Sequence, residues 1–123
     1  MRENDSPPVL LLVDDESRIL SALCRTLRRE GYEILTAESV SEGLRILESR
    51  KVDLVLTDQK MPGMSGLEFL GLVADRYPDV ARLVITGWPE EIPRDQIELL
   101  GIRALIPKPW DDQELRSVLR ENS

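Results

Sequence analysis

The stretch "DLVLTDQKMPGMSG", residues 53–66, decides the fold. Leu54, Val55 and Leu56 form an apolar, strand-like run, which Thr57 closes and Asp58 follows at once. Met61-Pro62-Gly63 and then Gly66 make the next connection stiff and turn-rich. A carboxylate at the exit of a buried strand, followed by such a loop, is more than an ordinary connection needs. The strand itself is expected over 52–57.

Upstream, Val9 to Val13 is apolar on both faces, as a central strand covered on both sides would be. Asp14-Asp15-Glu16 ends it. Ile19, Leu20, Leu23 and Leu27 then make a helical stripe, with Arg18, Arg25, Arg28 and Arg29 elsewhere on the wheel and Gly31 as its stop. Tyr32 to Ala37 is a more polar strand that suits a sheet edge. Ser39 and Glu42 have the spacing of a capping box, and the helix they open carries Val40, Leu44 and Leu47 on one face.

Downstream, Leu67, Leu70 and Val73 mark a third helix that Tyr77-Pro78 ends. Leu83 to Thr86 is a fourth strand and Arg103 to Ile106 a fifth. Between them Pro89 and Pro93 forbid a full-length helix. A loop or single turn is expected first, then a short helix from about Pro93, with proline at its first position. Asp111, Asp112 and Glu114 open a last helix whose buried face is Leu115, Val118 and Leu119. Strand and helix alternate five times. That pattern implies right-handed crossovers and a parallel α/β sheet with helices on both faces. Sites in such sheets form at the carboxyl ends of the strands.

The bulk properties narrow the function. A chain of 123 residues fits one domain, expected over residues 9–121, and can bury a core without disulfides or metals. The formal net charge of −7 argues against direct nucleic-acid binding. The absence of histidine removes the commonest base and metal ligand. Cys24, alone, makes no internal disulfide and reads as a small core residue. No apolar stretch reaches membrane-spanning length. Residues 1–8 are polar, end in Pro-Pro and read as a disordered tail rather than a signal peptide. No membrane association and a cytoplasmic location are expected.

The strand exits carry the chemistry. They present Asp14 and Asp15, Asp58, Thr86, and Lys108 between Pro107 and Pro109. With the first, third, fourth and fifth strands adjacent, all five side chains meet at one edge. Clustered carboxylates stay ionised only if a cation joins them. Oxygen-only ligands suit Mg²⁺. A cation, a lysine and a hydroxyl around one carboxylate form an arrangement for stabilising a transferring phosphoryl group, with Asp58 as nucleophile. Singly, each residue has an ordinary reading: Asp14-Asp15 as a helix cap, Asp58 as a turn-former, Thr86 as structure, Lys108 as a solvated side chain. The signal lies in their conjunction.

From about Val9 to Arg120 the chain resembles the receiver domain of two-component response regulators. The resemblance rests on "LLVDDE" (11–16), "DQKMPGMSG" (58–66), "VITG" (84–87) and "KPW" (108–110). It implies a doubly wound five-stranded parallel sheet in the order 2-1-3-4-5, here with a shortened fourth helix. It implies a metal site for Mg²⁺ from Asp14, Asp15, Asp58 and the backbone carbonyl of Lys60. It further implies Asp58 as phosphoacceptor, Thr86 as the hydroxyl that turns toward the phosphoryl group, Lys108 as its counter-charge, and a cis Lys108–Pro109 peptide. The implied partners are a sensor histidine kinase or phosphotransfer protein and a downstream output domain or protein. The implied partner surface is the last two helices and the fifth strand. The protein would then be a phosphorylation-dependent switch, not an enzyme beyond its own Mg²⁺-dependent phosphorylation and dephosphorylation.

The chain departs from the family at three places. Leu105 stands where many receivers carry an aromatic residue, so switching is expected to run through the Thr86 loop and the abbreviated fourth helix. Lys60 and Trp88 lie two residues after Asp58 and Thr86, where family members tune hydrolysis. A bulky indole beside a long cation would restrict attacking water; alternatively, Trp88 merely covers the short helix. "DQKMPGMSGLEFL", "TGW" and "KPW" are similar to receivers that precede HD-type cyclic-dinucleotide phosphodiesterase or kinase domains. Two other readings stand beside the switch. One is a receiver-like protein-binding module that is never phosphorylated. The other, a Mg²⁺-dependent phosphohydrolase, needs a second aspartate where this chain has Lys60.

Overall fold

A computed structural model describes residues 6–123. The first five residues of the expected 1–8 tail lie outside the described residues, and the carbonyl of Pro8 already accepts from the Glu33 amide at 2.9 Å. The elements are β1 (Val9–Val13), α1 (Ser17–Leu27), β2 (Glu33–Ala37), α2 (Val40–Ser49), β3 (Leu54–Asp58), α3 (Gly66–Arg76), β4 (Ala81–Thr86), a 3-10 turn (Pro89–Glu91), α4 (Arg94–Leu100), β5 (Ile102–Pro107) and α5 (Asp112–Glu121). The strands form one sheet in the order β2-β1-β3-β4-β5, and each neighbouring pair is parallel. This is the doubly wound, flavodoxin-like α/β architecture expected from the alternation.

Period-2 alternation along the central strands divides the core into two layers. Leu10, Leu12, Leu54, Leu56, Leu83 and Ile85 face Leu20, Leu23 and Leu27 of α1 and Leu115 and Leu119 of α5. Leu11, Val13, Val55 and Val84 face α2 and α3, with Phe69, Leu70 and Val73 at the centre. β1 and β3 are buried along their whole length. The edge strands β2 and β5 are only partly buried, consistent with their polar sequences.

Several details differ from the sequence reading. Asp58 is the last residue of β3 rather than the first of a loop, and its Cα pairs with Ile85 in the ladder. The helix α1 stops at Leu27, and Gly31 takes φ +88° further on, turning the chain toward β2 rather than ending the helix. Cys24 is half-buried at the margin of the α1 layer instead of inside it. Val118 is likewise half-buried. Phe69, outside the expected stripe, is fully buried. It is received by Gly43, where a Cβ would lie 3.3 Å from the Phe69 ring.

The capping box also moved. Ser39 accepts from the Glu42 amide at 3.1 Å, but Glu42 accepts from Glu38, one residue upstream of the cap. The reciprocal pair forms instead at α3, between Ser65 and Glu68. As expected, a single turn precedes a short helix after β4, although Pro93 is the cap of α4 and not its first residue. None of the seven residues of α4 is fully buried. Its C-terminus is tied down by Arg82, whose Nε donates to the Leu100 carbonyl at 2.8 Å. Among the described residues no helix is long and apolar enough to cross a membrane.

Candidate functional site

Parallel packing brings the carboxyl ends of β1, β3, β4 and β5 to one edge, and the polar residues of the sequence gather there. Asp14 leaves β1, with its amide on the Ala37 carbonyl at 3.1 Å and its Oδ1 accepting from the Glu16 amide at 2.9 Å. Asp58 ends β3 and Thr86 ends β4. Lys108 leaves β5 with its amide on the Thr86 carbonyl at 2.9 Å. Its peptide to Pro109 is cis. Asp14, Asp58 and Thr86 are almost inaccessible, at 1%, 6% and 1% relative exposure, so their charges and hydroxyl must be answered within the protein.

Lys108 gives most of that answer. Its Nζ lies 2.9 Å from Asp14 Oδ2 and 3.1 Å from Asp58 Oδ1, one ammonium shared by two carboxylates. Burial pushes the Asp58 carboxyl above its ordinary range, the nearby charge of Asp14 adds to the rise, and Lys108 offsets only part of it. Burial pulls the Lys108 ammonium down, but the two carboxylates outweigh it and hold the amine above its ordinary value.

Asp15 is exposed, yet ligand atoms of Asp14, Asp15 and Asp58 all lie within 4.8 Å of one another. Three carboxylates with one ammonium leave an excess of negative charge among hard oxygen donors. That donor set fits Mg²⁺.

The other expected residues are placed differently. Thr86 reaches the edge, but its Oγ1 accepts from the Trp88 amide at 3.1 Å, within its own loop. Lys60 sends its side chain away from the acidic cluster. Its Nζ stands 4.0 Å over the Trp88 ring and 3.2 Å from Glu91. Leu105 is half-buried against the α2–α3 layer.

Three residues hold Asp58 in ways the sequence alone does not give: Gln59, Thr57, which reads there only as the end of the strand, and Gly66, which reads only as a turn residue. The Gln59 carbonyl accepts from the Gly66 amide at 2.9 Å, and its side-chain oxygen accepts from the Leu67 amide at 2.8 Å. Gln59 thus clamps the loop to the start of α3, supplying donors at a helix N-terminus with acceptors. Gly66 passes so close to the Asp58 carbonyl that a Cβ there would collide with it. Buried Thr57 donates its hydroxyl to that same carbonyl at 2.9 Å. A hydroxyl residue inside an apolar run, and an amide directly after the aspartate, were the available signals.

The sequence matches the response regulator receiver domain over residues 10–120. It is 38% identical over 119 residues to the hydrogenase transcriptional regulatory protein HoxA of Cupriavidus necator, covering 96% of this chain and 24% of that one. The chain thus spans about a quarter of the length of that relative. It is 30% identical to sporulation initiation phosphotransferase F of Bacillus subtilis, over 91% of this chain and 90% of that protein. Among solved structures, the receiver domain of an HD domain-containing protein from Pseudomonas fluorescens Pf-5 superposes with a TM-score of 0.86 at 33% identity, covering 94% of each chain. The response regulator TrrA of Thermotoga maritima, solved in complex with Mg²⁺ and BeF, superposes at 0.84 with 32% identity, over 94% of this chain and 99% of that one.

Fold, site and similarity therefore agree: the chain belongs to the response regulator receiver domain family. It is a phosphorylation-dependent switch of two-component signalling. Receiver domains bind Mg²⁺ at an acidic pocket, and this chain carries the aspartate cluster for one.

Proposed function

We propose that Asp58 is the phosphoacceptor of this switch and that its donor is the phosphohistidine of a sensor kinase or phosphotransfer protein. The observation that carries this is the Lys108 ammonium held between buried Asp14 and Asp58. A carboxylate oxygen of Asp58 attacks phosphorus in line, the phosphorus–nitrogen bond breaks, and the imidazole leaves. Lys108 neutralises charge on the phosphoryl oxygens from a position it already occupies. The Thr86 hydroxyl, bonded to its own loop, turns to donate to one of those oxygens and draws that loop with it. In the reverse half, water attacks the aspartyl phosphate, inorganic phosphate leaves and the Asp58 carboxylate returns.

Asp14, Asp15, Asp58 and the Lys60 carbonyl would hold Mg²⁺, which when bound supplies the positive charge that lets carboxylate and phosphoryl group approach. The chain needs no further catalytic group and is no enzyme beyond its own phosphorylation and dephosphorylation. It acts in the cytoplasm. Its readout is a protein-binding face on α4, β5 and α5, toward an output domain or protein.

Mass spectrometry after incubation with Mg²⁺ and acetyl phosphate tests the assignment. One phosphoryl adduct, lost in Asp58→Asn, is expected. No adduct at saturating metal would instead leave a receiver-like module that binds partners without phosphorylation, a reading that Leu105 and the proline-shortened α4 favour.

A further inference from the structure

The seam between α1 and α5 carries an unusual concentration of positive charge for a chain of net charge −7. A cavity of about 410 Å³ opens there, lined by Arg25, Thr26, Pro109, Trp110, Asp112 and Arg116. A second cavity shares Arg25, Thr26 and Arg116 and continues past Arg28, Arg29 and Glu30. Together they make one trough along the C-terminal half of α1 and the turn that follows it.

The acidic groups of the trough are already engaged. Asp112 Oδ1 accepts from Trp110 Nε1 at 3.0 Å and from Thr26 Oγ1 at 3.1 Å. Glu30 lies 3.3 Å from Arg120 and 4.0 Å from Arg116. Arg116 is anchored through its Nε on the Thr26 carbonyl at 3.1 Å. Arg25, Arg28 and Arg29 are exposed and have no ion-pair partner among the described residues.

We infer that this trough is a docking surface for an acidic protein segment, one that places carboxylates against Arg25, Arg29 and Arg116 and an apolar side chain against Trp110 and Pro109. Arginine and tryptophan are the side chains that most often dominate protein interfaces. The anchored guanidinium of Arg116 is preorganised for a carboxylate. Arg25 lies near the end of α1 and Arg29 in the turn just after its last residue, Leu27, and both border the same cavity, so carboxylates on one helix or extended segment can answer both. The length and openness of the trough favour such a segment over a single small anion. This surface lies apart from the α4–β5 part of the proposed readout face. Yet it begins at Pro109 and Trp110, directly after the site lysine.

The test is an NMR titration of the full chain with a synthetic peptide carrying glutamates and leucines at helical spacing, against its glutamine counterpart. The amides of Thr26 and Arg116 and the indole N–H of Trp110 are expected to shift with the acidic peptide only. Binding should weaken as salt rises. Arg25→Glu, and independently Arg29→Glu, should weaken it about tenfold. Shifts that map elsewhere, or that survive both charge reversals, overturn the inference. An equal response to ATP or inorganic phosphate overturns it in favour of a small-anion site. A dimer in sedimentation that Arg25→Glu dissolves overturns it in favour of a second copy of the chain.

Discussion

The Lys60 ammonium stands 4.0 Å above the Trp88 ring and 3.2 Å from Glu91, joining the loop after β3 to the loop after β4. These side chains lie near Asp58 and Thr86 in sequence, so they bridge the two loops that border the Asp58 edge of the sheet. Trp88 is 50% exposed, and an exposed cation–π contact is worth about 0.5–1 kcal/mol. If the bridge screens the aspartyl phosphate from water, Trp88→Ala shortens its lifetime about two- to fivefold. Lys60→Ala does the same. The decay of phosphoprotein after removal of acetyl phosphate measures both. An unchanged half-life leaves the indole as a mere cover for the 3-10 turn.

Asp58→Asn stabilises the metal-free protein at neutral pH. The folded environment raises the Asp58 pKa, chiefly by burial and then by the charge of Asp14, so the folded state favours the protonated form. The stabilisation from that protonated carboxyl is complete below the ordinary carboxylate value of 3.8 and is lost as pH rises through the higher folded value. Thermal unfolding without metal should therefore show a higher Tm for the variant at pH 7 and no such advantage at pH 3. Adding Mg²⁺ should raise the wild-type Tm and remove the gap, and EDTA should restore it.

Lys108→Ala leaves Asp14 and Asp58 facing each other without their shared ammonium. Losing one partner of a buried ion pair costs about 3–5 kcal/mol. Chemical denaturation should show a loss of that order at pH 7, shrinking in Lys108→Ala as the solution is acidified and the carboxylates protonate. An equal loss at all pH values would locate the cost in packing instead.

Gly66→Ala sets a methyl group against the Asp58 carbonyl. Overpacking of this kind costs about 1–3 kcal/mol. Because the clash falls on the backbone of Asp58 itself, Mg²⁺ affinity should fall along with stability. Gly63→Ala is the contrasting control. It meets no atom within 4 Å, but its φ of +81° imposes local strain, so stability should fall with little change in metal binding.

Phosphoryl mimicry should move residues 87–100 more than Leu105. Thr86 Oγ1 is hydrogen-bonded to the Trp88 amide, so turning it releases that loop. The α4 that follows is held by half-buried Ile97 and Leu100 and by Arg82. Backbone shifts with Mg²⁺ and beryllofluoride decide the matter: changes centred on Leu105 and β5 would restore the usual coupling through that position.

The sheet was legible because strands buried on both faces spell themselves as unbroken apolar runs, as at Val9–Val13, and because Asp14, Asp58, Thr86 and Lys108 each end or directly follow a strand. Asp14, Asp58 and Lys108 are consequently where the sequence places them. The limits of local pattern show at Phe69, whose burial depends on a gap that Gly43 leaves in another helix. They show again at Ser39 and Ser65, whose spacings to Glu42 and Glu68 are identical although only the second closes a box. Gln59 was missed for a related reason: its acceptors matter only once α3 has folded back over them. The side-chain direction of Lys60, toward Glu91 and not the aspartates, is a tertiary choice that no spacing encodes.

The chain has two tryptophans, and both border the same edge of the sheet. Trp88 lies under the Lys60 ammonium beside the Thr86 loop, and Trp110 follows the Lys108–Pro109 pair with its Nε1 on Asp112. Each indole thus has a charged neighbour and a short backbone tether to a residue of the Asp58 edge. Intrinsic fluorescence is consequently a label-free recorder of events at Asp58. Trp88→Phe and Trp110→Phe would separate the emission of the bridged loop from that of the arginine trough.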